Sequence, residues 1–108
     1  MRAVRSTSAG GPEVLSVVHV DSPVPGPGEL LVDIHATALN RADLLQRRGL
    51  HPPPPGTTDI LGLECAGVVN AVGPEVSTDW LGRRVMSLLS GGGYAEQVTV
   101  PERMAIPI

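Results

Sequence analysis

The chain has 108 residues, a formal net charge of -3, 42% hydrophobic residues and 18% charged ones. That length holds one domain, and the slightly acidic balance leaves no basic footprint for nucleic acid. No apolar run approaches the roughly 18 residues needed to span a bilayer as a helix.

The N-terminus, Met1-Arg2-Ala3-Val4-Arg5, lacks the apolar stretch of a signal peptide. Arg2 to Ser6 is a short strand candidate, followed by a turn at Ala9-Gly10-Gly11-Pro12-Glu13. Leu15 to Val20 is rich in β-branched residues and predicts a second strand. The three prolines in residues 22–28 remove ladder donors, so that stretch is a loop. Glu29 to Thr37 carries the clearest periodicity. Leu30, Val32, Ile34 and Ala36 fall on one face, and Asp33, His35 and Thr37 on the other. That pattern predicts a half-buried strand with His35 facing solvent.

A helix signal follows. Asn40 is placed as N-cap, with Asp43 three residues on near the positive helix end. Leu44 to Arg48 continues the helix, and Gly49 stops it at a C′ position. After the proline run His51-Pro52-Pro53-Pro54-Pro55-Gly56, residues 62–72 predict a long central strand, apolar on both faces. Gly62 and Gly67 mark bends or close approach of another backbone. Residues 80–89 predict a turn and a strand, Ser90-Gly91-Gly92-Gly93 a hairpin turn, and Tyr94 to Val100 a last strand closed by Pro101. Phenylalanine is absent, so the core must come from Val, Leu, Ile and Ala, and thirteen glycines with eleven prolines add many turns. The apolar finish, Ile106-Pro107-Ile108, predicts an exposed patch that favours association, including a homo-oligomer. The fold class expected is mainly β, a partly open barrel with one or two short helices.

The candidate chemistry lies between Ala36 and Gly67, where two polar clusters flank the proline run. A catalytic zinc needs about three converging protein ligands. Here the cysteine is single, His19, His35 and His51 sit on separate elements, and Glu64 and Cys65 point to opposite faces of a strand. No metal site is expected. Cys65 reads as a small core residue ahead of a nucleophile, and as a lone cysteine it fits a reducing cytoplasm. Gly91-Gly92-Gly93 is followed by strand-like alternation rather than a helix, so it is no phosphate loop. Asn40 has two compatible readings, a cap and a side-chain donor to substrate or cofactor. Glu64 sits in an apolar stretch and needs a partner, for which Arg41 is the nearest candidate.

Taken together, ALNRADLLQRRG (38–49), PPPPG (52–56), ILGLECAGVV (60–69), GGGYAEQVTVP (91–101) and GGPEVLSV (10–17) resemble the medium-chain dehydrogenase/reductase superfamily. Within it they are similar to the N-terminal GroES-like domain of the zinc-independent NADPH quinone oxidoreductases, including the p53-inducible type. The resemblance implies reduction of quinones or enones by hydride from NADPH. It implies residues 1–108 as one GroES-like domain of a partial chain, the Rossmann domain being absent or supplied by a partner chain. Zinc-dependent members have a cysteine where this chain has Asn40, and a histidine where it has Leu63. The resemblance places Asn40 and His51 as catalytic groups, and Asn40 and Arg41 toward NADPH. It places Asp43, Leu63 and Glu64 in the substrate cleft, with no metal. His51 stands where close relatives have a tyrosine, and either donates to a quinone oxygen or lies inert in its loop. Two other functions stay open: a stand-alone GroES-like binding or assembly module, and an enoyl reductase-type domain acting on thioesters.

Overall fold

The strand with the strict alternation became the backbone of the molecule. In the computed structural model, which describes residues 1–50 and 52–108, it is β3 (Glu29–Ala36). Before it come β1 (Arg2–Ser6) and β2 (Leu15–His19), paired with each other. After it come α1 (Arg41–Arg47), β4 (Glu64–Val72), β5 (Arg84–Leu88), β6 (Gln97–Pro101) and β7 (Ile106–Pro107). The main sheet is antiparallel in the order β6-β3-β4-β5-β7. The β1–β2 pair attaches to the rest through single bridges, Ala3 to Ala95 and Arg5 to Ile60. The result is mainly β with open sheets and one α-helix, as expected.

The core is aliphatic because the composition leaves nothing else. Leu30, Val32, Val69, Val85 and Val100 are fully buried, with Cys65, Val76 and Val98 packed among them. β4 is central, yet its burial alternates. Cys65, Gly67 and Val69 are buried, while Ala66 and Val68 are half-exposed, so the face expected to be covered is open to solvent. Apolar residues on that side, Val and Ala, are tolerated at a surface that is mostly apolar anyway. On the polar side of β3, Asp33 accepts from Gln97 of β6 at 2.7 Å and from Asn70 of β4 at 3.0 Å. Those two donors hold its carboxyl below the usual carboxylate range.

Several boundaries shift. β4 starts at Glu64 rather than Gly62, because Gly62 takes φ +112 and leaves no room for a Cβ, which would lie 2.6 Å from the Gly93 Cα. The last long strand starts at Gln97 rather than Tyr94, which is spent on the bridging turn. The Ser90–Gly93 turn is not a hairpin, since β5 and β6 are not neighbours in the sheet. Instead it is tied to the chain before β4, with Gly92 donating to Ile60, Gly93 to Gly62 and the following Tyr94 to Leu61 at 2.8–3.1 Å. β7 escapes a periodicity reading because it is two residues long. Beside β5 it leaves Met86, Leu88, Ile106 and Ile108 exposed, the apolar patch foreseen at this end.

Candidate functional site

Helix α1 is positioned at both ends by local chemistry. At its start Asn40 is extended, and its backbone N–H donates to Asp43 Oδ2 at 2.9 Å. At its end Gly49 sits at φ +81, donating to the Gln46 carbonyl at 3.0 Å, while Leu50 donates to Leu45 at 2.9 Å. Those two bonds close a Schellman cap, which needs a glycine-like left-handed residue there. Arg47 then turns inward, and its Nε donates to the Gly10 carbonyl at 3.1 Å.

With the helix fixed, Asn40, Arg41 and Ala42 meet Leu63, Glu64, Leu88 and Leu89 around an open recess of about 490 Å³. Thr37 Oγ1 ties the approach to the helix onto the Glu64 carbonyl at 2.7 Å, and Leu89 N–H donates to the Leu63 carbonyl at 2.8 Å. The Asn40 amide donates to Glu64 Oε2 at 3.1 Å. Glu64 therefore finds its partner in Asn40 rather than in Arg41, whose side chain is exposed. The ion pairs among the described residues are Arg2–Glu96 and Arg5–Asp59. An amide one residue earlier than the guanidinium reaches the carboxylate because Asn40 sits at the helix mouth, while Arg41 begins the outward-facing turn.

Of the expected site residues, Asn40, Arg41, Leu63 and Glu64 are brought together. Asp43 lies behind them, only 2% exposed, and does not line the recess. Its Oδ2 accepts from Asn40 N–H and from the Tyr94 hydroxyl, while its Oδ1 is buried with no hydrogen-bond partner among the described residues. His51 lies outside the described residues. Leu88 and Leu89 were missed, although they end a predicted strand; alternation alone does not say which strand end meets a helix. Tyr94 was missed as the partner of Asp43, since nothing local links positions 51 apart in sequence. Cys65 is buried in the core, and burial pushes its thiol up to about 11. Among the described residues no group of three or more His, Cys, Asp and Glu side chains could hold a metal ion. Among them, too, no helix is long and apolar enough to cross a membrane.

Burial, then the bond to Asp43 and its charge, raise the Tyr94 phenol above its ordinary value. Tyr94 is the only tyrosine, so phenolate absorbance in the ultraviolet reads it alone. The native chain is expected to show no phenolate through about pH 11, and Asp43→Asn to bring the step down. Above about pH 10 only the unfolded chain releases this proton, so the contact's contribution to stability declines as pH climbs toward the folded value. A native titration at the ordinary phenol value would remove the contact from the structure.

The comparison with known proteins follows the same elements. The alcohol dehydrogenase GroES-like domain pattern matches residues 26–108, from the loop before β3 through β7. The chain belongs to that family. Among relatives of this GroES-like domain, the human synaptic vesicle membrane protein VAT-1 homolog is 50% identical over 82 residues, 73% of this chain and 20% of its own length. The crystal structure of the human VAT-1 homolog-like protein superposes on the whole chain with a TM-score of 0.92 at 36% identity. Escherichia coli quinone oxidoreductase, crystallised with NADPH, superposes on the whole chain with a TM-score of 0.90 at 31% identity. This GroES-like chain spans about a third of each of those two structures, 35% and 33% respectively.

Proposed function

We propose that residues 1–108 form the substrate-side domain of an NADPH-dependent quinone or enone oxidoreductase that works without a metal, joined in function to a dinucleotide-binding domain. The observation that carries this reading is the recess itself. It sets an amide held by a carboxylate, Asn40 on Glu64, beside the apolar side chains of Leu63, Leu88 and Leu89. A flat, largely apolar electrophile with one polar oxygen suits such a wall. The quinone oxidoreductase likeness supports the same substrate class.

The donor set at the recess fits the nicotinamide end of NADPH. Asn40 and Arg41 would hold that end, through the amide and an exposed guanidinium. In the glycine turn the Gly92 and Gly93 N–H groups already serve the Ile60 and Gly62 carbonyls. NADPH, gripped by the dinucleotide-binding domain, supplies the hydride. Glu64 Oε2 at 3.1 Å and the Ala38 carbonyl at 3.5 Å hold the Asn40 amide at the edge of the recess, and Leu63, Leu88 and Leu89 exclude water from a bound ring. The proton-donor role expected of His51 concerns the residue outside the described ones.

The test is a fusion of this chain to the dinucleotide-binding domain of the Escherichia coli quinone oxidoreductase, assayed with NADPH. Quinone or enone turnover is expected, and Asn40→Ala is expected to cut kcat/KM by about tenfold or more. Enoyl thioesters as the preferred substrates would move the reading to an enoyl reductase. Binding or assembly without turnover of any of the three would favour a non-catalytic module.

A further inference from the structure

Asp43 poses a physical problem that the recess alone does not explain. A carboxylate that is 98% shielded from water is costly unless donors compensate it. It has two donors, both on Oδ2: the Asn40 backbone N–H and the Tyr94 hydroxyl. The other oxygen has none among the described residues. Tyr94 is itself anchored on both sides, its N–H on the Leu61 carbonyl at 2.9 Å and its carbonyl on Val4 N–H at 2.8 Å. The phenol is therefore a fixed post, and the helix mouth leans on it.

We infer that Tyr94 is a positioning residue for the recess: its hydroxyl, given to Asp43, fixes the turn of chain that aims the Asn40 amide at Glu64. The linkage runs Tyr94 to Asp43, Asp43 to the Asn40 backbone, and the Asn40 side chain to Glu64 Oε2. Tyr94 never touches the recess, so it acts only through these groups. Without the hydroxyl, Asp43 keeps one donor for a buried charge. It relieves that deficit by drawing toward water, and the Asn40 backbone moves with it. The inference rests on the recess being the reactive surface of the proposed oxidoreductase, and it names the residue outside that surface on which its geometry depends.

The ¹⁵N-labelled chain allows a test that needs neither NADPH nor turnover. The side-chain amide signal of Asn40, identified by its loss in Asn40→Asp, is followed as the solution is acidified until the carboxylates are protonated. In the wild-type chain it shifts with the Glu64 carboxylate. In Tyr94→Phe that shift is expected to shrink roughly twofold or more, since the bond to Glu64 is no longer held. The Asn70 amide, bonded to Asp33 Oδ2 at 3.0 Å and further along β4 than Glu64, serves as the internal reference, and its response to acid is expected to be the same in both chains. An unchanged Asn40 shift, or equal changes at Asn40 and Asn70, would overturn the inference. An inactive fusion with the Tyr94→Phe effect intact would instead count against the proposed function alone.

Discussion

Gly67→Ala is expected to cost about 3 kcal/mol or more, and to leave much of the chain unfolded. Gly67 pairs with Ile34 across the β3–β4 seam. A methyl group there would sit 1.9 Å from the Asp33 carbonyl oxygen and 2.8 Å from its carbon, both backbone atoms. No rotamer change relieves a clash with main chain, so the two central strands must separate. The register already shifts beside this point, between Ile34 and Ala36, which is how the sheet seats the close approach. Gly82→Ala is the useful comparator. It forces alanine into φ +78 but meets nothing within 4 Å, so its cost is that of the backbone conformation, about 1 kcal/mol. Urea denaturation of both variants decides the matter. Equal losses would mean that the β3–β4 backbones are not as close as described.

The second large effect is expected at Leu30, which is 0% exposed and flanked by Val72 on β4 and Val100 on β6. Leu30→Ala removes both transfer energy and packing, and should cost about 2–5 kcal/mol. For a domain of this size that corresponds to a melting point lower by roughly 10–20 °C or more. The buried cluster itself holds no aromatic ring, with Trp80 packed against it from outside, so little large surface can slide into the gap. Val24→Ala, at a position 85% exposed, is expected to change stability by about 0.5 kcal/mol or less. A melting point for Leu30→Ala no lower than that of Val24→Ala would dismiss the placement of the core.

Local chemistry was legible in the sequence wherever it is decided locally. The period-two pattern of residues 29–37 located β3, and Asn40 with Gly49 located both ends of α1. Gly62 and Gly67 announced close backbone approaches, and both occur. That Asn40, Arg41, Leu63 and Glu64 share one recess was also within reach, because they lie within two short motifs. The failures are all non-local. Glu64 chose Asn40 over Arg41 on the strength of where the helix mouth lands, which depends on the Tyr94–Asp43 contact. Asp43 has the charge and spacing of a cleft residue, and only the packing of residues 90–95 shows that it is covered. A hairpin at residues 90–93 was the natural reading of three glycines between two strands. The sheet order, which no turn composition encodes, separates those strands instead.

That sheet order has a consequence for synthesis. β3 needs β6 on its outer flank, and β6 follows it in the chain only after α1, β4 and β5. Until residues 97–101 are made, Leu30 and Val32 have a strand partner on one side only, so the nascent domain carries an unfinished seam. Long-range closure of this kind is slow and leaves sticky intermediates with open strand edges.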